Sequence, residues 1–142
     1  MNRKNYITLL EQLEKTGYSF KFFDTFDTNL NNQIILRHDI DFDLHLAEEM
    51  ATLENEMGIC STYYFLLSSD SYNIFSQTNK NIIHTIKKMG HDISLHFDPT
   101  VYLDEPAGFS LEKEIFEKEF GAVTSVAFHR PSASILNGVN WL

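Results

Sequence analysis

Short apolar segments of this chain are followed at once by side chains that bind metal ions or move protons. The apolar segments 34–36, 93–95 and 126–128 show this pattern. The carboxyl ends of parallel strands share one face of a sheet, and ligands bind at that face, so these side chains are expected to converge on one active site. The candidates are His38, Asp39, Asp41, His96, Asp98, His129 and Arg130.

Asp39 and Asp41 are the strongest candidates for a metal ligand and a general base. They are two residues apart, so both carboxylates can face the same mouth of a sheet. Two close carboxylates repel each other when both are ionised, and a divalent cation relieves that repulsion. One carboxylate then becomes a metal ligand while the other stays free as a general base. A simple turn with Asp43 as the cap of the next helix is the alternative, but it leaves the other two acids unexplained.

Side chains later in the chain fit the same site. His96 together with Asp41 suits Zn²⁺ or another first-row metal. Arg130 follows His129 in the sequence, and an arginine in this position can pair with a catalytic carboxylate and hold its orientation. Tyr72, in the loop after the second main predicted strand, is a candidate substrate contact.

The spacing of apolar residues and glycines predicts alternating strands and helices. Main strands are predicted at 34–37, 59–67, 92–96 and 123–128, after a short helix and a short strand at 19–23. The other predicted helices are 44–57, 81–89 and 111–120, the last capped by Ser110. Helix 44–57 is predicted to carry its apolar residues on one face, because Leu46, Met50, Leu53 and Met57 are spaced 4, 3 and 4 residues apart.

This order predicts an α/β protein with a parallel sheet. Four main strands cannot close a barrel, and a full (β/α) barrel usually takes about 250 residues. A small open sheet and the front part of a larger barrel therefore both remain open from the pattern alone.

The composition limits the classes of protein and partner. The chain has 142 residues, is 43% hydrophobic and carries a formal net charge of −9. A disordered chain is excluded, and neither duplex nucleic acid nor an anionic membrane is an expected partner. The one cysteine, Cys60, allows no internal disulfide. With no recognisable signal peptide or membrane span, a single cytoplasmic domain over residues 1–142 is expected.

Four segments, taken together, resemble the polysaccharide deacetylase family of carbohydrate esterases, in its branch with an Arg-His-Asp-x-Asp first motif. The segments are 36–41, 58–65, 90–96 and 128–131. The resemblance implies a distorted barrel of seven or eight strands, of which this chain supplies about four or five. It also implies metal-dependent removal of acetyl groups from N- or O-acetylated sugars, with Zn²⁺ as the expected metal.

The resemblance also implies roles for single residues. Asp39 takes the place of the general base and Asp41 that of a metal ligand, although the reverse assignment remains open. His96 matches a further ligand, and the third comes from His129 or Asp98, because Thr100 stands where the family has a second histidine. The remaining implied role is orientation of the base by Arg130. Tyr72, from its position after the second main strand, and Asp98 are the candidate contacts with the sugar.

One departure from the family bears on activity. A later segment of the family supplies further strands and a histidine that acts as general acid, and no residues follow Leu142. A truncated chain is therefore expected, one that needs a C-terminal segment or a second copy to complete the catalytic set. The alternatives are a catalytically incomplete remnant that binds glycans or serves as a scaffold, and an enzyme acting on other acyl groups.

Overall fold

The computed structural model describes residues 3–138, which form alternating helices and strands. Short 3-10 turns at Phe23–Thr25 and Pro99–Val101 supplement these elements. The elements in chain order are α1 (Arg3–Lys15), β1 (Ser19–Lys21), β2 (Gln33–Ile35), β3 (Arg37–Ile40), α2 (Leu44–Glu56), β4 (Thr62–Leu66), α3 (Gln77–Lys88), β5 (Asp92–Phe97), α4 (Glu105–Phe120), β6 (Val126–Phe128) and α5 (Ala133–Leu136).

Four parallel strands in the order β3-β4-β5-β6 form the main sheet. This sheet curls into a half-barrel, which confirms the predicted α/β class and the incomplete, barrel-like sheet. A separate parallel pair, β1 and β2, lies next to it in the sequence. None of the helices in the described part of the chain is long and apolar enough to cross a lipid bilayer.

The two faces of the curled sheet have different chemistry. Tyr63, Phe65 and Leu95 belong to the apolar core beneath the helices. The alternate residues of the same strands point to the inner face of the half-barrel, because successive side chains of a strand point to opposite faces. On that inner face, the hydroxyl groups of Tyr64 and Ser94 hydrogen-bond to the segment just before β6.

The first main strand differs from its predicted bounds of 34–37. It is divided at Leu36 into β2, which pairs with β1, and β3, which pairs with β4. As a result Asp39 lies inside a strand, and Asp41 is the first acid beyond the strand end.

Two predicted helix starts are wrong. Helix α3 begins at Gln77 rather than at residue 81, because the Ser76 side chain accepts a hydrogen bond from the Asn79 N–H and caps the helix. Helix α4 begins at Glu105, capped by Asp104 and not by Ser110. The sequence suggested a loop because of Pro106 and Gly108, but proline is well tolerated in the first helical turn.

The predicted apolar face of α2 is only partly buried: Leu53 is buried and Met50 and Met57 pack against the same cluster, but Leu46 does not. Leu46 is 59% exposed. The buried residues of the helix are Leu44, Ala47, Ala51, Leu53 and Glu54. Small alanines allow the helix to approach the sheet closely on this face, which brings the acidic Glu54 into the interior.

Candidate metal centre

Three side chains from separate strands converge at the carboxyl end of the half-barrel. Asp41 follows β3, His96 lies in β5 and His129 follows β6. The Asp41 Oδ1 atom lies 3.3 Å from His96 Nε2 and 3.4 Å from His129 Nδ1. The two imidazole nitrogens are 3.2 Å apart. These three atoms form a nearly equilateral triangle, and together they can hold a metal ion.

The size of the triangle fits a particular kind of coordination. Zinc binds histidine nitrogen and carboxylate oxygen at about 2.0–2.1 Å, usually with tetrahedral geometry. The edge of such a tetrahedron is about 3.3–3.4 Å long, by the geometry of those bond lengths. The triangle therefore has the dimensions of one face of a tetrahedral site.

The environment of Asp41 and His96 also suits a cation. The Oδ1 atom of Asp41 is buried and has no hydrogen-bond partner among the described residues. The Nδ1 atom of His96 lies 3.0 Å from the carbonyl oxygen of Ala127, and a carbonyl can only accept, so Nδ1 carries the proton. The lone pair of His96 is then on Nε2, which faces the other two ligands. Such a second hydrogen bond commonly fixes metal-binding histidines.

Asp39 lies on the inner face of β3 but takes a different partner from the one expected. Its Oδ2 atom is 2.7 Å from Nη2 of Arg37, two residues earlier in the same strand. The Arg37 guanidinium in turn lies 5.7 Å from the centre of the Tyr64 ring, within range of a cation–π contact. Arg37, and not Arg130, is therefore the arginine that orients Asp39.

Arg130 pairs instead with Asp98. Its Nε atom donates to Asp98 Oδ2 at 3.0 Å, and its Nη2 atom donates to the same oxygen. The other carboxylate oxygen accepts from the backbone and hydroxyl of Thr100 at 3.0 and 2.7 Å. Burial opposes ionisation of Asp98, but these hydrogen bonds and the charge of Arg130 hold its pKa below the usual range. The Asp98 carboxylate therefore fixes two loops and is not part of the metal triangle.

Tyr72 also lies within the framework of the site. Its hydroxyl donates to the carbonyl oxygen of Ile40 at 2.7 Å and accepts from the N–H of Leu66 at 2.8 Å. The hydroxyl thus bridges the ends of β3 and β4 where their direct pairing stops. Contacts of this kind hold Asp41 in place, since the aspartate follows Ile40 directly.

A buried cluster around Glu54 was not predicted. The Glu54 side chain is fully buried, and four groups hydrogen-bond to its carboxylate: Tyr6 Oη, His38 Nε2 at 2.7 Å, Ser61 Oγ at 2.6 Å and Tyr63 Oη at 2.9 Å. Burial opposes ionisation, but the bonds from His38, Ser61 and Tyr6 outweigh it and lower the pKa of Glu54. The sequence signal was its spacing of three residues from Ala51 and seven from Ala47, which places all three on one face of the helix.

Two further histidines belong to this cluster. His38 faces Glu54 and not the aspartates, so its expected membership of the strand-end site is wrong. His91 is buried, with Nε2 2.9 Å from the carbonyl oxygen of Ala51 and Nδ1 2.9 Å from Ser61 Oγ. The cluster therefore lies on the helix side of the sheet and has a structural role.

A second buried acid, Glu112 of α4, lies near the loops of the carboxyl end. Its Oε1 atom accepts hydrogen bonds from Ser68 Oγ at 2.6 Å and Tyr102 Oη at 2.8 Å. Its Oε2 atom is buried without a partner among the described residues. Burial raises the pKa of Glu112, which favours the neutral acid.

No protein-family model matches this chain, and no curated protein matches it in sequence.

Proposed function

We propose that this chain carries the metal centre of a hydrolase that removes acetyl groups from N- or O-acetylated sugars. The observation that carries the proposal is the triangle formed by Asp41 Oδ1, His96 Nε2 and His129 Nδ1, with edges of 3.2–3.4 Å. Three protein ligands are typical of catalytic zinc sites, whereas structural sites use four.

The donor atoms favour zinc among the common cations. Two imidazole nitrogens and one carboxylate oxygen suit zinc or a similar first-row metal, whereas calcium and magnesium prefer oxygen ligands throughout. His96 is held by the Ala127 carbonyl, so this ligand is oriented before any ion binds.

Residues around the triangle have separate roles in the proposed reaction. When bound, the cation lowers the pKa of a water molecule and polarises the acyl carbonyl. Asp39 is the proposed general base that accepts the proton of the attacking water. Arg37 holds the Asp39 carboxylate through its 2.7 Å ion pair. The Arg130–Asp98 pair holds the backbone next to His129 and so positions that ligand.

The choice of an acetylated sugar rests on the four segments that resemble polysaccharide deacetylases. The net charge of −9 adds a restriction, because an acidic protein repels polyanionic glycans. Neutral acetylated oligosaccharides are therefore the proposed substrates.

Thr100 favours a second candidate function, in which the chain binds glycans without cleaving them. This residue stands where the family has a second histidine, and its hydroxyl donates to Asp98. The site would then retain a metal ion and a sugar but lack a complete set of groups for proton transfer.

Zinc titration by calorimetry, followed by an acetate-release assay on N-acetylglucosamine oligomers, tests the proposal. We expect one zinc ion per chain, loss of that binding in Asp41→Ala, and acetate release that depends on zinc. Equal zinc binding by Asp41→Ala would contradict the ligand assignment. Zinc and oligosaccharide binding without acetate release would instead support the glycan-binding function.

A further inference from the structure

The outer edge of the strand formed by β2 and β3 has no strand partner within residues 3–138. In the main sheet β3 pairs only with β4, and β2 pairs only with β1. If β1 lies on the same side of the β2–β3 strand as β4, the other side is open along both β2 and β3.

β1 and β4 lie on the same side of this strand. The N–H of Ser19 donates to the carbonyl of Asn32, and the N–H of Thr62 donates to the carbonyl of Leu36. Carbonyls an even number of residues apart in an extended strand point to the same edge. The Cys60 Sγ atom, just before β4, also lies 3.5 Å from the carbonyl oxygen of Phe20 in β1. The other edge is therefore open along both β2 and β3.

The open edge of β3 presents the backbone groups of Arg37 and Asp39. The carbonyls of Leu36 and Ile40 both face β4, one through Thr62 and the other through the Tyr72 hydroxyl. Residues 37 and 39 alternate with them, so their N–H and C=O groups point outward. Unpaired groups of this kind are a template for pairing with another strand.

Apolar surface lies beside this edge on its helix side. A groove of about 370 Å³ follows residues 37–43 and is bordered by Leu46 and Met50 of α2. A groove of about 730 Å³ between α1 and α2 shares these two residues. Next to the edge, Leu46 is 59% exposed and Phe42 is 77% exposed. A strand that docked at the edge would therefore also cover apolar side chains.

We propose that this edge binds a second copy of the chain, with the two β3 strands antiparallel about a twofold axis at His38. In this register Arg37 of each copy lies opposite Asp39 of the second copy, so two ion pairs of opposite charge form on one face. On the other face Leu36 lies opposite Ile40 of the second copy. The strand is thus complementary to itself in charge.

Charge selects this register over its neighbours. A twofold axis at residue 37 would place two arginines opposite each other, and an axis at residue 39 would place two aspartates opposite each other. Like charges directly opposite in an antiparallel pair are destabilising. The proposal does not involve the metal triangle, but it shares Arg37 and Asp39 with the proposed enzymatic function. Its test therefore measures association and not activity.

Sedimentation velocity over a range of protein concentrations tests the proposal. We expect the wild-type chain to form a dimer, and Arg37→Asp and Asp39→Arg to weaken it by roughly tenfold or more, since each puts like charges opposite. An equimolar mixture of the two variants should dimerise again, because one copy then carries two acids and the other two bases. Lys113→Asp, on the surface of α4, is the matched control for a change of charge and should leave the dimer intact.

Circular dichroism of each variant establishes that it is folded. If a single variant does not fold, the double variant Arg37→Asp/Asp39→Arg, which restores both the internal and the intermolecular pairs, should still dimerise. A wild-type chain that stays monomeric at every concentration would overturn the proposal. So would a dimer that neither single substitution weakens.

Discussion

Asp39 and Asp41 are only two residues apart, yet their carboxylates have different surroundings and are suited to different roles. Asp41 presents to two imidazole nitrogens a buried oxygen that has no hydrogen-bond partner within residues 3–138. Asp39 is held by Arg37 on the inner face of β3. A cation stabilises the first carboxylate directly, while the second keeps an oxygen available as a base. This separation supports Asp39 as base and Asp41 as ligand.

Replacing Asp39 by asparagine tests this division at the level of one functional group. We expect Asp39→Asn to bind zinc as tightly as the wild-type chain, since the triangle is intact. Acetate release should fall by about 10²–10⁴-fold, the usual contribution of a general base. Calorimetry and the acetate assay on the same preparation measure the two quantities. A loss of zinc affinity equal to that of Asp41→Ala would mean that the roles are reversed.

The sequence predicts the cluster that could hold a metal ion better than it predicts the neighbours of that cluster. Asp41, His96 and His129 could be placed together because each lies at or near the carboxyl end of a parallel strand, and strand ends are visible as apolar runs. The partner of Arg130 could not be predicted. The backbone of Arg130 adopts a left-handed conformation with φ of 57°. The apolar pattern of the sequence contains no information about such a turn.

At the scale of elements, the Glu54 cluster connects the N-terminal helix to the sheet. Its carboxylate accepts from Tyr6 of α1, His38 of β3 and Tyr63 of β4, while Glu54 itself belongs to α2. A buried carboxylate is stable only when it is paired and hydrogen-bonded, so these elements depend on one another. The metal site depends on the cluster too, because β3 leads directly into Asp41.

Replacing Glu54 by alanine should destabilise the fold strongly. Removing one partner of a buried ionic cluster costs about 3–5 kcal/mol, since the remaining polar groups lose their partner inside the protein. Glu49→Ala, an exposed position on the same helix, is the control and should change the free energy of unfolding by less than about 0.5 kcal/mol. Urea unfolding measures both values.

The difference in the free energy of unfolding between wild type and Glu54→Ala should depend on pH, and the shifted pKa of Glu54 gives the sign of that dependence. The folded-state pKa of Glu54 is lowered, so its ionised form contributes stability above the unfolded pKa, and that contribution is lost as the pH falls through the folded pKa. The difference between wild type and Glu54→Ala should therefore shrink in acid. A difference that stays constant from neutral to strongly acidic pH would contradict a stabilising role for the ionised carboxylate.

At the scale of the whole molecule, the order of elements was predictable and several boundaries were not. The alternation of strands and helices appears in the sequence because buried parallel strands are short apolar runs between amphipathic helices. The division of the first strand at Leu36 depends on β1 and β4 docking one after the other along the same edge. This arrangement comes from tertiary packing, and no local pattern in residues 33–40 indicates it.

Metal binding should stabilise the whole fold, because its ligands come from three places in the sheet. Asp41 and His129 are 88 positions apart in the sequence, 129 − 41, and an unfolded chain does not hold them together. A cation that binds only the folded state at a hundred times its dissociation constant adds about 2.7 kcal/mol. For a domain of this size we expect the melting temperature to rise by about 10 °C.

Differential scanning calorimetry with and without zinc measures this rise. A chelator should reverse it, and Asp41→Ala should show little or none. The Asp39→Asn variant is the matched control. Zinc should raise its melting temperature as much as that of the wild-type chain, because Asp39 lies outside the triangle. An equal rise in Asp41→Ala would place the zinc elsewhere on this acidic protein, whereas no rise in any variant would mean that the triangle does not bind zinc in the folded state.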